Sequence, residues 1–560
     1  MFDRRINKAC IVPEDKRKDI LFSLLVAFTA FLVYANSLGN GFVWDDTKVI
    51  LNNPLIKGKA LSLFSSIDTT GEAMLSPYYR PLTYLTFLAE ERLHGLTPLF
   101  VRLFNVLLHS ANAFLVYRTG RSLLMDKYAA LLSGLLFAVH PLHTEGVDFN
   151  AGGRNTLLAC FFVLAAYLLH SRSVIRKSFS AAFAGAILFF AGILSKESAL
   201  AVLPFVGAFE IAQLRATAPG SRLRAFARIL PYAAATIAYL AMRWMTLSEL
   251  GVQTSILPGF GTQKMENMYI IPDLATRLLD NLYIIPRYLL TVIAPTSLSP
   301  IYVVPDDLNL FALPLTAAWF CIIGGLGWLF TRGRSKTSFF GLAWLIAFWL
   351  PVSGIIFFPS ASLADRYLYL PAIGLWIVIG DQVLRLLPSG TATRKYSMVA
   401  AILALLVLSV FTIRRNMDWK NEIALFSRVV EQYPDNARGH ASLGGAYYNE
   451  RNLNGRYLRL AEKEFDKALE LDPTLQMVHT PMGSIRMARS DYEGAVYHYT
   501  EALAIYPLDK EALINRGIAL ENIGKHQEAV RDYQLFLSAP GKELSEMRTY
   551  AEERVRVLSQ

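Results

Sequence analysis

The chain has 560 residues, 53% hydrophobic and 18% charged, with a mean hydropathy of +0.34. A soluble domain carries roughly 25% charged residues, and here the apolar excess falls in long runs. That excludes a soluble globular protein for most of the chain and leaves a bilayer as its solvent. The net charge of +10 does not point to nucleic acid, because the Lys and Arg stand in short clusters between apolar segments, as in membrane proteins.

Residues 1–19 form a basic tail, and the apolar run from Ile20 to Leu38 has no small-residue cleavage site. An uncleaved first span is predicted, not a removed signal peptide. Crossing a bilayer takes about 20 apolar residues. The segments 20–38, 99–119, 128–143, 154–170, 179–195, 197–213, 229–247, 311–331, 338–357, 367–386 and 396–413 are predicted to cross, eleven in all. The stretch 274–298 holds Arg277, Asp280, Asn281, Arg287 and prolines, and is predicted to be re-entrant or interfacial.

Basic clusters set the orientation. Arg4, Arg5, Lys16, Arg17 and Lys18 hold the N-terminus in the cytoplasm. With eleven spans, Arg118, Arg121 and Lys127, then Arg172, Arg176 and Lys177, then Arg222, Arg224 and Arg228, then Arg332, Arg334 and Lys336, then Arg394 and Lys395 all lie on that side. A full crossing by 274–298 would put the last two clusters outside. The opposite face receives 39–98, 140–153, the turn at 195–197, 248–310 and 358–366, rich in acids, histidines and aromatics. Of the cysteines, Cys10, Cys160 and Cys321, no two have disulfide or metal-site spacing; they are expected to be small buried hydrophobes.

The polar residues of the outer face fall into four motifs. FVWDDTKVILNNP puts Asp45 and Asp46 directly after the first span. Adjacent carboxylates repel, so one is expected to titrate high; the pair could take a proton from a hydroxyl or bind a metal. FAVHPLHTEGVDFNAGGRNTLL gathers His140, His143, Glu145, Asp148 and Arg154. The spacing is not that of a zinc helix, and a hydrogen-bonded network shaping a cavity is expected instead. In ILSKESALAVLP, Lys196 and Glu197 break an apolar region, marking either a site or ion pair, or only a turn between spans. FFPSASLADRYLYLP sets Asp365 and Arg366 at the mouth of a span. Arg366, with Arg80 in PYYRPLTYL, has the bidentate geometry that suits phosphate oxygens. The aromatic, amphipathic helix 80–94 is fit to lie in the interface.

From Trp419 the composition turns mixed and a repeat appears: Ala461, Ala495 and Ala529; Phe465, Tyr499 and Tyr533; Gly444, Gly483 and Gly517; Pro434, Pro473 and Pro507. Most steps are of 34 residues, with an insertion near RNLNGRYL. Small residues let paired helices approach and each Pro ends a second helix. This resembles the tetratricopeptide repeat, an all-α solenoid.

The acidic pair after span one, YYRPL, FNVLLHSANAFLVY, FAVHPLHTEGV, GRNTLL, LSKES, DRYLYLP and closing repeats together resemble the transmembrane and tetratricopeptide-repeat-containing (TMTC) family and its bacterial relatives, GT-C-fold glycosyltransferases related to protein O-mannosyltransferases. The resemblance covers about residues 20–540. It implies a cytoplasmic tail (1–19), a transmembrane GT-C-like domain (20–413), a connector and half-repeat (414–434), repeats (435–545) and a C-terminal helix (546–560). It further implies transfer of a sugar from a polyprenyl-phosphate carrier to an acceptor hydroxyl on the non-cytoplasmic face. Asp45 or Asp46 would be the base, Arg366 and Arg80 would take the carrier phosphate, and His140, His143, Glu145, Arg154, Lys196, Glu197 and Asp365 would line the site. No cofactor is demanded, though a divalent metal could join Asp45 and Asp46. The implied partners are the lipid-linked donor, membrane lipids and a protein or peptide acceptor held in the repeat groove. The absence of any Asn-x-Ser/Thr triplet is in keeping with a bacterial inner membrane. The rival reading is a non-enzymatic scaffold whose repeats recruit an envelope or secreted protein. A transporter is disfavoured, since no inverted repeat of spans is visible.

Overall fold

The computed structural model describes residues 13–66, 78–123, 125–214, 221–249, 274–302, 304, 313–331, 335–355, 363–386, 391–450, 455–539 and 545–559. Arg4, Arg5, Cys10, Arg332, Arg334, the start of the insertion at 451–454 and, within the segments 248–310 and 358–366, residues 250–273, 303, 305–310 and 358–362 lie outside them. Among the described residues every regular element is a helix. The chain divides into two compact units, Met1–Asn421 and Glu422–Gln560.

The first unit contains α1 (Pro13–Tyr34), α2 (Pro81–His94), α3 (Pro98–Ser122), α4 (Lys127–Val139), α5 (Thr144–Asp148), α6 (Asn150–Arg176), α7 (Phe179–Ser195), α8 (Val202–Leu214), α9 (Ser221–Glu249), α10 (Leu274–Ile293), α11 (Leu313–Thr331), α12 (Lys336–Trp349), α13 (Pro371–Leu386) and α14 (Thr391–Asp418). Among the described residues, five helices are long and apolar enough to cross a membrane: Lys16–Gly39, Pro98–Ser122, Asn150–Arg176, Arg222–Ser248 and Lys395–Asp418. Four shorter ones, Lys127–Val139, Phe179–Ser195, Pro314–Leu329 and Lys336–Val352, are also apolar.

The helices are inverted relative to a soluble bundle. On α1, Ile20, Leu21, Leu24, Leu25, Phe28 and Leu32 are exposed, while Asp19 and Ser23 are buried. A continuous apolar face of this kind is a liability in water and a match for lipid. Inward polar groups are paired: Tyr117 and Arg121 on α3 donate to the Asp19 carboxylate at 2.7 and 2.8 Å. α1 packs on α3 and α4, α3 on α6, α6 on α7, α7 on α9, and α4 on α13, which lies against α12.

Several predicted span ends move, each for a local reason. α4 stops at Val139 rather than 143, because Pro141 has no N–H to continue it; Pro141–His143 form a 3-10 turn. The segment 197–213 opens as a 3-10 turn, Glu197–Ala201, before α8. α12 gives way at Leu350–Val352, where Pro351 sits. α13 starts at Pro371, a favoured first helical residue. The stretch 274–298 yields one helix, α10, with Leu274, Leu278, Leu279 and Leu282 exposed and Asn281, Ile284 and Tyr288 buried. Cys160 is buried as expected, but Cys321 is exposed, on the apolar helix α11.

The second unit contains α15 (Glu422–Gln432), α16 (Ala437–Asn449), α17 (Gly455–Leu471), α18 (His479–Ala488), α19 (Tyr492–Ile505), α20 (Lys510–Asn522), α21 (His526–Ser538) and α22 (Ser545–Leu558). α16 packs on α17, α18 on α19 and α20 on α21. Each pair makes the same contact. A Cβ added at Gly444, Gly483 or Gly517 would lie 2.6 Å from the ring of Phe465, Tyr499 or Tyr533, respectively. Ala461, Ala495 and Ala529 are fully buried. Gly483→Ala therefore forces the Tyr499 ring to shift, at a cost of about 1–3 kcal/mol. A lowered unfolding midpoint for the detergent-solubilised protein is the expected outcome, and an unchanged midpoint would contradict this packing.

Candidate functional site

The loop after α1 is anchored by a residue buried in α3. Arg102 donates to the carbonyls of Asn40 (3.0 Å), Gly41 and Asp148 (2.9 Å). Trp44 adopts φ +57°, a left-handed conformation costly for a bulky side chain. Its ring stacks on Phe149 at 4.9 Å. This turn sends the two acids to different places: Asp45 is exposed and Asp46 fully buried. Asp46 accepts from the Ala151 N–H at 2.7 Å, the Asn150 amide at 2.8 Å and the Val43 N–H at 3.1 Å. It thus satisfies the N-terminal turn of α6, whose backbone donors have no partner within the helix. Burial pushes its pKa up to about 6, opposed by Arg102 and these three hydrogen bonds. The elevation expected of one acid is on Asp46, and its leading cause is burial rather than Asp45.

Five charges from four separate loops gather nearby. Glu145, on α5, accepts from both the backbone N–H (2.8 Å) and the guanidinium of Arg366. Burial opposes the Arg366 charge, but Glu145, Tyr367 and Asp45 together raise its pKa. Arg80 grips Glu197 through two nitrogens, at 2.9 and 2.5 Å, and stands over the Tyr78 ring at 4.1 Å. Thr83 ties α2 to the 195–197 turn by donating to the Ser195 carbonyl at 3.1 Å. Lys196 donates to the Thr156 hydroxyl at 2.7 Å. Arg366 and Lys196 approach the same Tyr367 ring, at 5.1 and 5.8 Å. Beside them, Asp365 accepts from Tyr302 at 2.7 Å while its second oxygen, also buried, has no hydrogen-bond partner among the described residues. Burial and Glu145 raise its pKa.

Asp45, Arg80, Glu145, Lys196, Glu197, Asp365 and Arg366 therefore belong to one neighbourhood. Lys196 and Glu197 stand at a turn between helices, and Glu197 is also ion-paired, with Arg80. The other three residues expected at the site are taken up in packing. Arg154 is clamped by Glu90 (3.1 Å), Asn105 and the Val101 carbonyl (2.9 Å), between the rings of Phe87 and Phe104. His140 donates to the Val292 carbonyl at 3.0 Å. His143 accepts from Trp376 at 3.3 Å and sits among Phe137, Tyr369 and Trp376. Replacing Arg154 with Met strands the buried Glu90 charge, a loss of about 3–5 kcal/mol. A lower unfolding midpoint is expected, partly recovered in the Arg154→Met/Glu90→Gln double variant; no recovery would argue against the pairing.

Asp46 is buried and held by three N–H donors while Asp45 is exposed, so the two acids are not arranged as paired ligands for one divalent metal. Sequence reasoning missed Arg102, though a lone arginine near the start of an apolar span is itself a signal. A groove of about 270 Å³ between α2 and α3, lined by Glu90, Leu93, Phe100, Phe104 and Leu107 among others, contains none of the seven clustered residues.

These features define a helical membrane protein with acids and cations assembled where its loops meet. No family model matches the sequence. The chain is 27% identical over 579 residues to the Mus musculus "Protein O-mannosyl-transferase TMTC3", covering 94% of this chain and 56% of that protein. It is 28% identical over 480 residues to the Caenorhabditis elegans "Protein O-mannosyl-transferase F38B6.6", covering 83% of this chain and 65% of that one. A shorter stretch of 194 residues is 37% identical to the Drosophila melanogaster "Protein O-mannosyl-transferase Tmtc2", covering 32% of this chain and 21% of that protein. With matches of this kind over most of its length, the chain is TMTC-like. It spans less than two thirds of the length of these relatives.

Proposed function

We propose that this protein is a GT-C-type membrane glycosyltransferase that moves a sugar, mannose by the names of its relatives, from a polyprenyl-phosphate carrier to a hydroxyl on a protein acceptor. The observation that carries the reading is the convergence of Arg366 on the loop that bears Asp45, more than three hundred residues away in sequence: Arg366 stands 5.7 Å from the Phe149 ring, which stacks on Trp44, the neighbour of Asp45. In the reaction, the Asp45 carboxylate takes the acceptor hydroxyl's proton as that oxygen attacks the anomeric carbon. The bond from this carbon to the phosphate oxygen breaks and its electron pair leaves with the lipid phosphate. Charge grows on that phosphate, where Arg366 and Arg80 stabilise it. Attack opposite the leaving group inverts the anomeric centre. Asp46 holds the loop.

Eleven crossings with a cytoplasmic N-terminus put the loops bearing Asp45, Arg80, Glu145, Lys196 and Arg366 on the non-cytoplasmic side. Their convergence in space supports that topology. The chain then continues past α14 on the same side, where we read the second unit as a tetratricopeptide array that receives the acceptor. The recurring glycine–aromatic contact supports the array. The test is transfer itself: purified protein is given radiolabelled polyprenyl-phosphate mannose and Ser/Thr-rich peptides. Labelled peptide is expected. Absence of transfer to peptides and to extracts of exported proteins would favour the scaffold.

A further inference from the structure

Three cations stand at the candidate site, and two of them already face carboxylates. Arg80 is held by Glu197 and Arg366 by Glu145. Lys196 is not held in this way. Lys196 is only 6% exposed and, among the described residues, makes a single hydrogen bond, to Thr156, whose hydroxyl donates onward to Asn155 at 3.1 Å. An ammonium carries three N–H donors. A buried ammonium with donors left over is costly unless an anion completes its shell. Lys196 also stands between the arginines electrostatically: both repel it, and Glu197 and Glu145 attract it.

We propose that Lys196 is the principal ligand of the carrier phosphate, seated between Arg80 and Arg366, with the two arginines as flanking support. This rests on the transferase reading above and deepens it. An oxygen of the phosphate takes the spare Lys196 donors, while each arginine, already charge-compensated by its acid, lends only its remaining N–H donors.

A dependence on pH follows. The groups facing Lys196 are Arg80 from the segment before α2, Glu197 from its own turn, Glu145 from α5, and Arg366 and the Tyr367 ring from the 365–368 turn; α6 contributes the neutral Thr156. Burial, reinforced by Arg80 and Arg366 and opposed by Glu197 and Glu145, pushes Lys196 down to about 7. An arriving negative charge favours the protonated form. Affinity for a phosphate of fixed charge is therefore flat below pH 7 and falls above it, towards roughly tenfold per pH unit.

The test uses the full chain in detergent and farnesyl methyl phosphate, a diester with one fixed negative charge. Farnesol serves as the uncharged control and inorganic phosphate as the control without a tail. Calorimetry from pH 6 to 9 should show the diester binding more tightly than either control, with affinity declining above pH 7. Lys196→Met should weaken diester binding at least tenfold while leaving farnesol binding unchanged. Lys196→Arg should restore affinity and abolish the pH dependence. Should Lys196→Met fail to fold, as judged by lost farnesol binding, Lys196→Gln, which can still reach Thr156, is expected to show the same selective loss. Wild-type affinity in the neutral variants would overturn the role of Lys196 and leave the transferase reading standing. No preference for the diester over farnesol in the wild type would overturn both. Equal binding of inorganic phosphate and the diester would assign the site to free phosphate rather than a lipid carrier.

Discussion

Asp45→Asn yields a folded protein in which transfer falls by at least about 10²–10⁴-fold, the range expected for loss of a general base, while donor binding persists. The adjacent Asp46→Asn has the opposite profile. Asp46 accepts three N–H donors in a fully buried setting, and an amide offers one acceptor oxygen where the carboxylate offered two. One buried donor is left facing an NH₂ group, a loss of about 1–3 kcal/mol, so the unfolding midpoint drops and activity falls with the folded fraction. Thermal unfolding and transfer measured on the same preparations separate the two. Equal activity in wild type and Asp45→Asn would remove Asp45 as base. A greater stability loss at position 45 than at 46 would reverse the assignment.

The second large effect is at Arg366. Arg366→Met would leave Glu145, only 1% exposed, as a buried carboxylate without its cation, so a fall in activity there mixes chemistry with folding. Arg366→Lys keeps the ion pair but loses the guanidinium fork that can serve a carboxylate and a phosphate at once. Its kcat is expected to drop about 10²–10³-fold, the scale for removing one donor to a developing oxyanion, with a smaller change in donor KM and an unfolding midpoint close to that of wild type. A variant with wild-type kcat would show that Arg366 does not act on the departing phosphate.

The five long apolar helices were readable in advance because lipid demands apolar length, and their runs state that demand locally. Helix ends at Pro141, Pro351 and Pro371 follow from a missing N–H, which is also local, though hydropathy alone extended α4 to 143. The glycine, alanine and aromatic marks of the second unit were legible because the same contact recurs three times. The site was legible only as a set of residue types on one face. Which charge meets which is decided by packing between segments far apart in the chain. Nothing around Arg80 announces Glu197 as its partner, and nothing around Arg366 announces Glu145. Asp45 and Asp46 look equivalent as neighbours; the left-handed turn at Trp44 and the open end of α6 make them different. Arg154 and His143 carry chemistry-capable groups, yet their surroundings, Glu90 in one case and Trp376 in the other, were out of sequence view.

The whole account requires a lipid-linked glycosyl phosphate to lie between one acid and a group of cations. The most direct measurement is a structure of the Asp45→Asn variant with a polyprenyl-phosphate sugar trapped in it. The phosphate is expected within hydrogen-bonding distance of Lys196 and Arg366, with the anomeric carbon turned towards residue 45. A phosphate bound away from these cations, or a sugar facing away from residue 45, would contradict the assignment.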